Sequence, residues 1–102
     1  MRKRGRVDSN QTEIVEAFRK LGATVAITSN IGGGFPDIII GYRRANVLVE
    51  IKDGMKSPSA RKLTPDEQEF FDNWAGDVRL VACVQDCINL IDDLNDPNYL
   101  PF

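Results

Sequence analysis

A chain of 102 residues, 42% of them apolar and 27% charged, can build one domain around one modest core and is too short for two. It has no histidine and only two cysteines, Cys83 and Cys87, which excludes Ser-His-Asp and Cys-His triads, a disulfide scaffold and a four-ligand Cys/His zinc site. The formal charge of −2 hides a division: through Leu63 there are twelve Lys and Arg against six Asp and Glu, and from Thr64 onward one Arg, Arg79, against nine acids. Such a split fits either a phosphate-binding face opposite a solvated acidic one, or self-association of opposite faces. No apolar run approaches the roughly 20 residues of a membrane span. The basic start, MRKRGR, lacks the apolar stretch of a signal peptide, so the expected compartment is the cytoplasm, or the host cytoplasm for a phage-encoded chain.

Residues 1–7 read as a basic arm on a single domain covering 1–102. DSNQTEIVEAFRKLGA then predicts a helix, with Asp8 or Ser9 as cap, Ile14, Phe18 and Leu21 at helical spacing, and Gly22 as stop. ATVAITS, rich in β-branched residues, predicts a strand. SNIGGG is a flexible loop, and Phe35 is pushed to an extended conformation by Pro36. DIIIGY and NVLVEIK predict a hairpin turning around residues 43–46. After the basic loop MKSPSARK, LTPDEQEFF starts a helix with Thr64 as cap, Pro65 in the first position and Glu67 completing a capping box. Phe70, Phe71 and Trp74 form its apolar stripe, expected in the core, and Gly76 ends it. VRLVACV is a fourth strand and DCINLIDDL a last helix, with both cysteines expected as buried, reduced thiols. Residues 95–102 read as an extended tail. The order αβββαβα implies an α/β fold, a small mixed sheet flanked by helices.

The hairpin carries charges where strands seldom tolerate them. With the turn centred on Arg44 and Ala45, residue 43 pairs with 46 and 42 with 47. That register sets Asp37 opposite Lys52 and Ile39 opposite Glu50, with Asp37 and Glu50 as diagonal neighbours. Because side chains alternate, Asp37, Glu50 and Lys52 share one face, and Ile38, Ile40, Val47, Val49 and Ile51 share the other, core-facing one. Two carboxylates this close call for a cation. Lys52 itself can supply it. The alternative is a divalent metal such as Mg²⁺, which uses one or two carboxylates and leaves positions for water and phosphate oxygens. Lys52 would then hold or deprotonate the attacking water, or stabilise charge on the phosphate.

Pro36-Asp37 followed by Glu50-Ile51-Lys52 resembles the PD-(D/E)xK nuclease motif. GGGFPDIIIG, LVEIKDG and KLTPDEQ together resemble the VRR-Nuc group of that superfamily, compact standalone members of phages and prophages that are similar to archaeal Holliday-junction resolvases. The resemblance covers roughly residues 13–84. It implies a restriction-endonuclease-like αβββαβ core, dependence on Mg²⁺ or Mn²⁺, and hydrolysis of DNA phosphodiester bonds to 5′-phosphate and 3′-hydroxyl ends, often by a homodimer. Residue by residue, it implies metal ligation by Asp37, Glu50, the Ile51 carbonyl and Glu13 of the first helix, with Lys52 as the catalytic lysine. Gln68 matches a catalytic-site glutamine near the scissile phosphate.

The remaining features bear on the substrate. IGGG lacks the GK[ST] of a phosphate-cradling loop, and its expected role is mobility beside Asp37. Arg2, Lys3, Arg4, Arg6, Arg43, Arg44, Lys56, Arg61 and Lys62 can neutralise phosphates without reading sequence. No helix presents base-reading arginines, so structure-selective cutting of branched or duplex DNA is expected over sequence-specific restriction. Two other classes compete with an enzyme: a non-catalytic DNA-binding or assembly module on the same fold, and a protein-interaction domain using the acidic half. The apolar YLPF tail is the expected dimer contact.

Overall fold

The computed structural model describes residues 10–99, so the basic arm and the last three residues lie outside the described residues. The chain forms α1 (Gln11–Lys20), β1 (Thr24–Ile27), β2 (Ile38–Tyr42), β3 (Ala45–Ile51), a 3₁₀ turn (Pro58–Arg61), α2 (Pro65–Asn73), β4 (Val78–Val81) and α3 (Val84–Asn95). The αβββαβα order and the mixed α/β architecture are those expected. The sheet runs β1-β2-β3-β4; β2 is antiparallel to both its neighbours, and β4 is parallel to β3. A parallel pair needs a crossover, and the segment with the 3₁₀ turn and α2 supplies it.

The two faces of the sheet separate by strand alternation. Ile38, Ile40, Val47, Val49, Ile51 and Val81 are buried against Ile14, Val15 and Phe18 of α1 and Cys87, Leu90, Ile91 and Leu94 of α3. Burying each large side chain contributes roughly 1.5–3 kcal/mol, and the N-terminal and C-terminal helices thereby cover one face together. Lys52 contacts Glu67 of α2, which puts α2 over the opposite face. Helix α2 starts as its sequence dictates. Thr64 Oγ1 accepts the Glu67 N–H, Glu67 Oε1 accepts the Thr64 N–H at 2.8 Å, and Pro65 opens the first turn. Helix α1 stops at Gly22, whose φ of +100° suits a residue without Cβ; the Ala23 N–H reaches back to Phe18 O and the Gly22 N–H to Arg19 O.

Several expectations need correction. Asp8 and Ser9 lie outside the described residues, and the position before α1 is held by Asn10, whose side chain makes no cap bond. The hairpin turn is Arg43-Arg44, both at positive φ, the pattern of a two-residue type I′ turn. Tyr42 therefore pairs with Ala45 and Ile38 with Val49, and each β2 residue meets a partner two positions earlier on β3 than expected. A shift of two leaves every side chain on its face. The aromatic stripe of α2 is not core: Phe70 lies between Phe35 (5.3 Å, edge-on) and Trp74 (5.0 Å, stacked), and Trp74 stays 44% exposed. Cys87 is buried and its thiol is pushed up to about 12 by burial, whereas Cys83 is exposed. Nor is the C-terminal segment simply extended. Asn95 belongs to α3, and Tyr99 packs on the core and donates its hydroxyl to Asp77 at 2.7 Å.

Candidate functional site

The end of the sheet where β2 begins and β3 finishes gathers the polar groups. Continuing the observed register by one step from Ile38–Val49 sets Asp37 directly opposite Glu50, so their Cβ atoms are roughly 4.5–5.5 Å apart, closer than the diagonal arrangement expected. Asp37 is held on both sides. Its Oδ2 accepts the Ile51 N–H at 2.8 Å and its carbonyl accepts the Thr28 N–H at 2.8 Å. Asp37 and Glu50 thus lie close enough for each carboxylate to feel the other's charge.

Glu50 is only 3% exposed, and its carboxyl is pushed up to about 9 by burial first and by the charges of Asp37 and Glu67 next, with Lys52 opposing. Lys52 Nζ sits 2.8 Å from Glu67 Oε1 and 3.7 Å from Glu50 Oε2. Burial works against ionisation of Glu67 too, yet hydrogen bonds from Lys52 and from the Thr64 backbone hold it below the ordinary carboxylate range. The protonated form of Glu50 is favoured because three carboxylates around one ammonium cannot all ionise cheaply. A cation beside Glu50 relieves the same penalty as that proton.

Three residues carry weight that sequence reasoning missed. Glu67 contacts Lys52, whereas Gln68 is exposed and bonded to Asp72 of its own helix at 2.9 Å. The capping-box motif identified Glu67 as a helix residue, but only the packing of α2 over β3 aims it at Lys52. Asn10 donates to the Lys52 carbonyl at 3.1 Å and the Ala82 carbonyl at 3.2 Å, tying the start of α1 to the ends of β3 and β4. Gln11 is buried, bonds Ser29 Oγ at 3.4 Å, and keeps an Oε1 without a partner. An Asn-Gln pair before an apolar run gives no warning of this, since such residues normally face water.

Glu13 is not in this cluster. It is exposed and lines a cleft of about 700 Å³ with Asp53, Met55, Arg61, Cys83 and Asp86. The helical spacing that set it beside the apolar stripe turns it toward α3. The triple glycine is likewise not an open loop. Gly32, Gly33 and Gly34 all take positive φ, and a Cβ on Gly34 would lie 2.5 Å from the Asp66 carbonyl oxygen, so the loop is seated on the first turn of α2.

Among the described residues no group of three or more His, Cys, Asp or Glu side chains stands at metal-ligand spacing. The donor set nevertheless fits Mg²⁺, which takes oxygen ligands and uses one or two protein carboxylates. A chain with neither histidine nor clustered cysteines offers a softer metal little. Among the described residues no helix is long and apolar enough to cross a membrane. No family model, curated protein or solved structure matches this chain.

Proposed function

We propose that the chain is a Mg²⁺- or Mn²⁺-dependent endodeoxyribonuclease of the VRR-Nuc type, selective for branched or otherwise structured DNA rather than for sequence. The observation that carries this reading is Asp37 facing Glu50, with Lys52 on the same face and anchored nearby. Asp37, Glu50 and the Ile51 carbonyl would hold the cation. When bound, Mg²⁺ supplies positive charge against the phosphoryl oxygens and acidifies a water. The work of the chain's own residues is binding and orientation. Asp37 is fixed by the Ile51 N–H, which anchors its carboxylate within electrostatic reach of Glu50. Lys52, an ammonium clasped by Glu67, donates hydrogen bonds to the charge that builds on the phosphate in the transition state. Lys56, Arg61 and Lys62, on the segment that leaves the end of β3, would neutralise flanking phosphates.

The test is nicking of supercoiled plasmid and cutting of a panel of branched DNAs with Mg²⁺ or Mn²⁺. The wild type is expected to cut, and Asp37→Asn and Lys52→Ala are each expected to lose at least about a hundredfold. Binding of these DNAs without cleavage under any divalent metal would support the second reading, a non-catalytic DNA-binding or assembly module. The Lys52–Glu67 pair favours that module, since it supplies a positive charge to the carboxylates without any metal.

A further inference from the structure

β1 is an outer strand of the sheet, and among the described residues only β2 pairs with it. The Thr28 N–H donates to the Asp37 carbonyl, so these two form a pair that exchanges backbone hydrogen bonds. Such pairs alternate along an antiparallel ladder with pairs that exchange none. Ala26 therefore bonds to β2, whereas Val25 and Ile27 turn their N–H and C=O groups to the open side. Outer strands are usually protected by charged residues, a proline, a bulge or shortness. At the other edge, β4 carries Arg79, bonded to Asp77 and Asp93. β1 has only its length of four residues. No charged residue occurs between Lys20 and Asp37, and Ile27 is 55% exposed.

We infer that β1 is the contact between two copies of this chain, paired antiparallel about a two-fold axis at Ala26. The occupant is a second copy because the edge is complementary to itself in this register. Val25 meets Ile27 of the partner subunit, Ile27 meets Val25 of the partner subunit, and each pair exchanges both backbone hydrogen bonds. A register shifted by two would set Val25 or Ile27 opposite a residue outside β1. The flank of α1 agrees with a two-fold axis. Ile27 borders a hollow of about 150 Å³ with Val15, Glu16 and Arg19, one acid and one base that the axis would set against their opposites. Tyr99, from the tail expected to make the dimer contact, packs on its own core instead. Pairing at β1 joins two four-stranded sheets into one continuous sheet. It leaves both copies of Asp37 on the same face, about 20 Å apart at roughly 4.8 Å per strand and 3.4 Å per residue. The dimer needs neither metal nor DNA, so it stands apart from the metal-site reading.

The test is sedimentation of the full chain together with disulfide trapping. The wild type is expected to be a dimer at micromolar concentration. Ile27→Lys, which sets an ammonium at the edge, is expected to be a monomer with an unchanged circular dichroism spectrum. At the axis the two Ala26 residues form a non-hydrogen-bonded pair, with Cα atoms about 4.5 Å apart, a separation that a disulfide spans. Ala26→Cys in a Cys83→Ser chain, which lacks the exposed native thiol, is expected to give a linked dimer on mild oxidation, read on a non-reducing gel. Thr24→Cys in the same chain lies on the same face, but the axis separates the two copies by about 13 Å, so no link is expected. A monomeric wild type overturns the inference, as does a folded Ile27→Lys chain that stays dimeric. Equal linking of the Ala26→Cys and Thr24→Cys chains, or linking of neither, places the contact elsewhere and overturns it too. Should Ile27→Lys not fold, the two cysteine variants decide the matter.

Discussion

Glu50 is a buried carboxyl whose ionisation works against the fold. A carboxyl raised from 4.5 to about 9 by burial, Asp37 and Glu67 binds its proton more tightly in the folded chain than in the unfolded one. The linkage has a definite sign. Below about pH 4.5 both states are protonated and no penalty arises. Between 4.5 and 9 the unfolded chain ionises while the folded one does not, so the metal-free protein loses stability as pH rises through that window. Glu50→Gln, which mimics the protonated form, is expected to flatten this pH dependence and to raise Tm at pH 8 in EDTA by roughly 5 °C or more, the shift that about 1 kcal/mol produces in a domain of this size. The same variant is expected to lose metal-dependent cleavage. A Tm at pH 8 equal to or below that of the wild type would show that the buried carboxylate carries no such penalty.

At the scale of elements, the hairpin decides where the carboxylates meet. Type I′ turns favour Asn-Gly because both central residues need positive φ; this chain places two arginines there, at φ of 49° and 71°. A non-glycine residue in the left-handed region costs about 1–2 kcal/mol, so nothing local in the sequence advertises the turn. Arg43 has compensation, donating Nη1 to Asn95 Oδ1 at 2.8 Å, whereas Arg44 is exposed. Arg44→Gly is accordingly expected to stabilise the protein by about 1 kcal/mol in urea unfolding, with no effect on cleavage. Destabilisation would mean that the Arg44 side chain makes a contact worth more than its backbone strain. Helix α2 is the opposite case. Thr64, Pro65 and Glu67 announce its start in full, and that start is where the structure has it.

Over the whole molecule, the hairpin turn and the buried Glu50 lie toward opposite ends of β3. β3 runs seven residues from the hairpin turn to the carboxylates, about 20 Å at roughly 3.3 Å per residue. Arg43 and Arg44 therefore stand at the far end of the sheet, while Lys56, Arg61 and Lys62 follow the site directly. The acidic half is partly spent on itself, with Arg79 bridging Asp77 at 2.7 Å and Asp93 at 3.0 Å and Tyr99 bonded to Asp77. DNA affinity measured against salt concentration should lose about 0.9 of its log–log slope for each phosphate contact removed. Lys56→Ala with Lys62→Ala is expected to reduce the slope by nearly two units, and Arg43→Ala with Arg44→Ala to leave it unchanged. The reverse result would place the DNA across the hairpin turn and away from Asp37.

The sequence by itself determined the order of elements, the α/β class, the face on which Asp37, Glu50 and Lys52 lie, and the beginning of α2. These follow from local physics: the two-residue alternation of strands, the spacing of apolar residues on helices, and the pairing of a cap with its glutamate. Alternation also explains why a register misjudged by two left the faces correct. Tertiary structure alone decided that Asp37 meets Glu50 head-on, that Glu67 and not Gln68 reaches Lys52, that Glu13 turns to α3, and that Asn10 and Gln11 sit at the sheet end. The first follows from the backbone of the Arg43-Arg44 turn; the others depend on how helices settle on the sheet, where a rotation of 100° per residue decides which of two neighbours on a helix faces inward. No pattern read along the chain contains that angle, because it is set by the packing of side chains far apart in sequence.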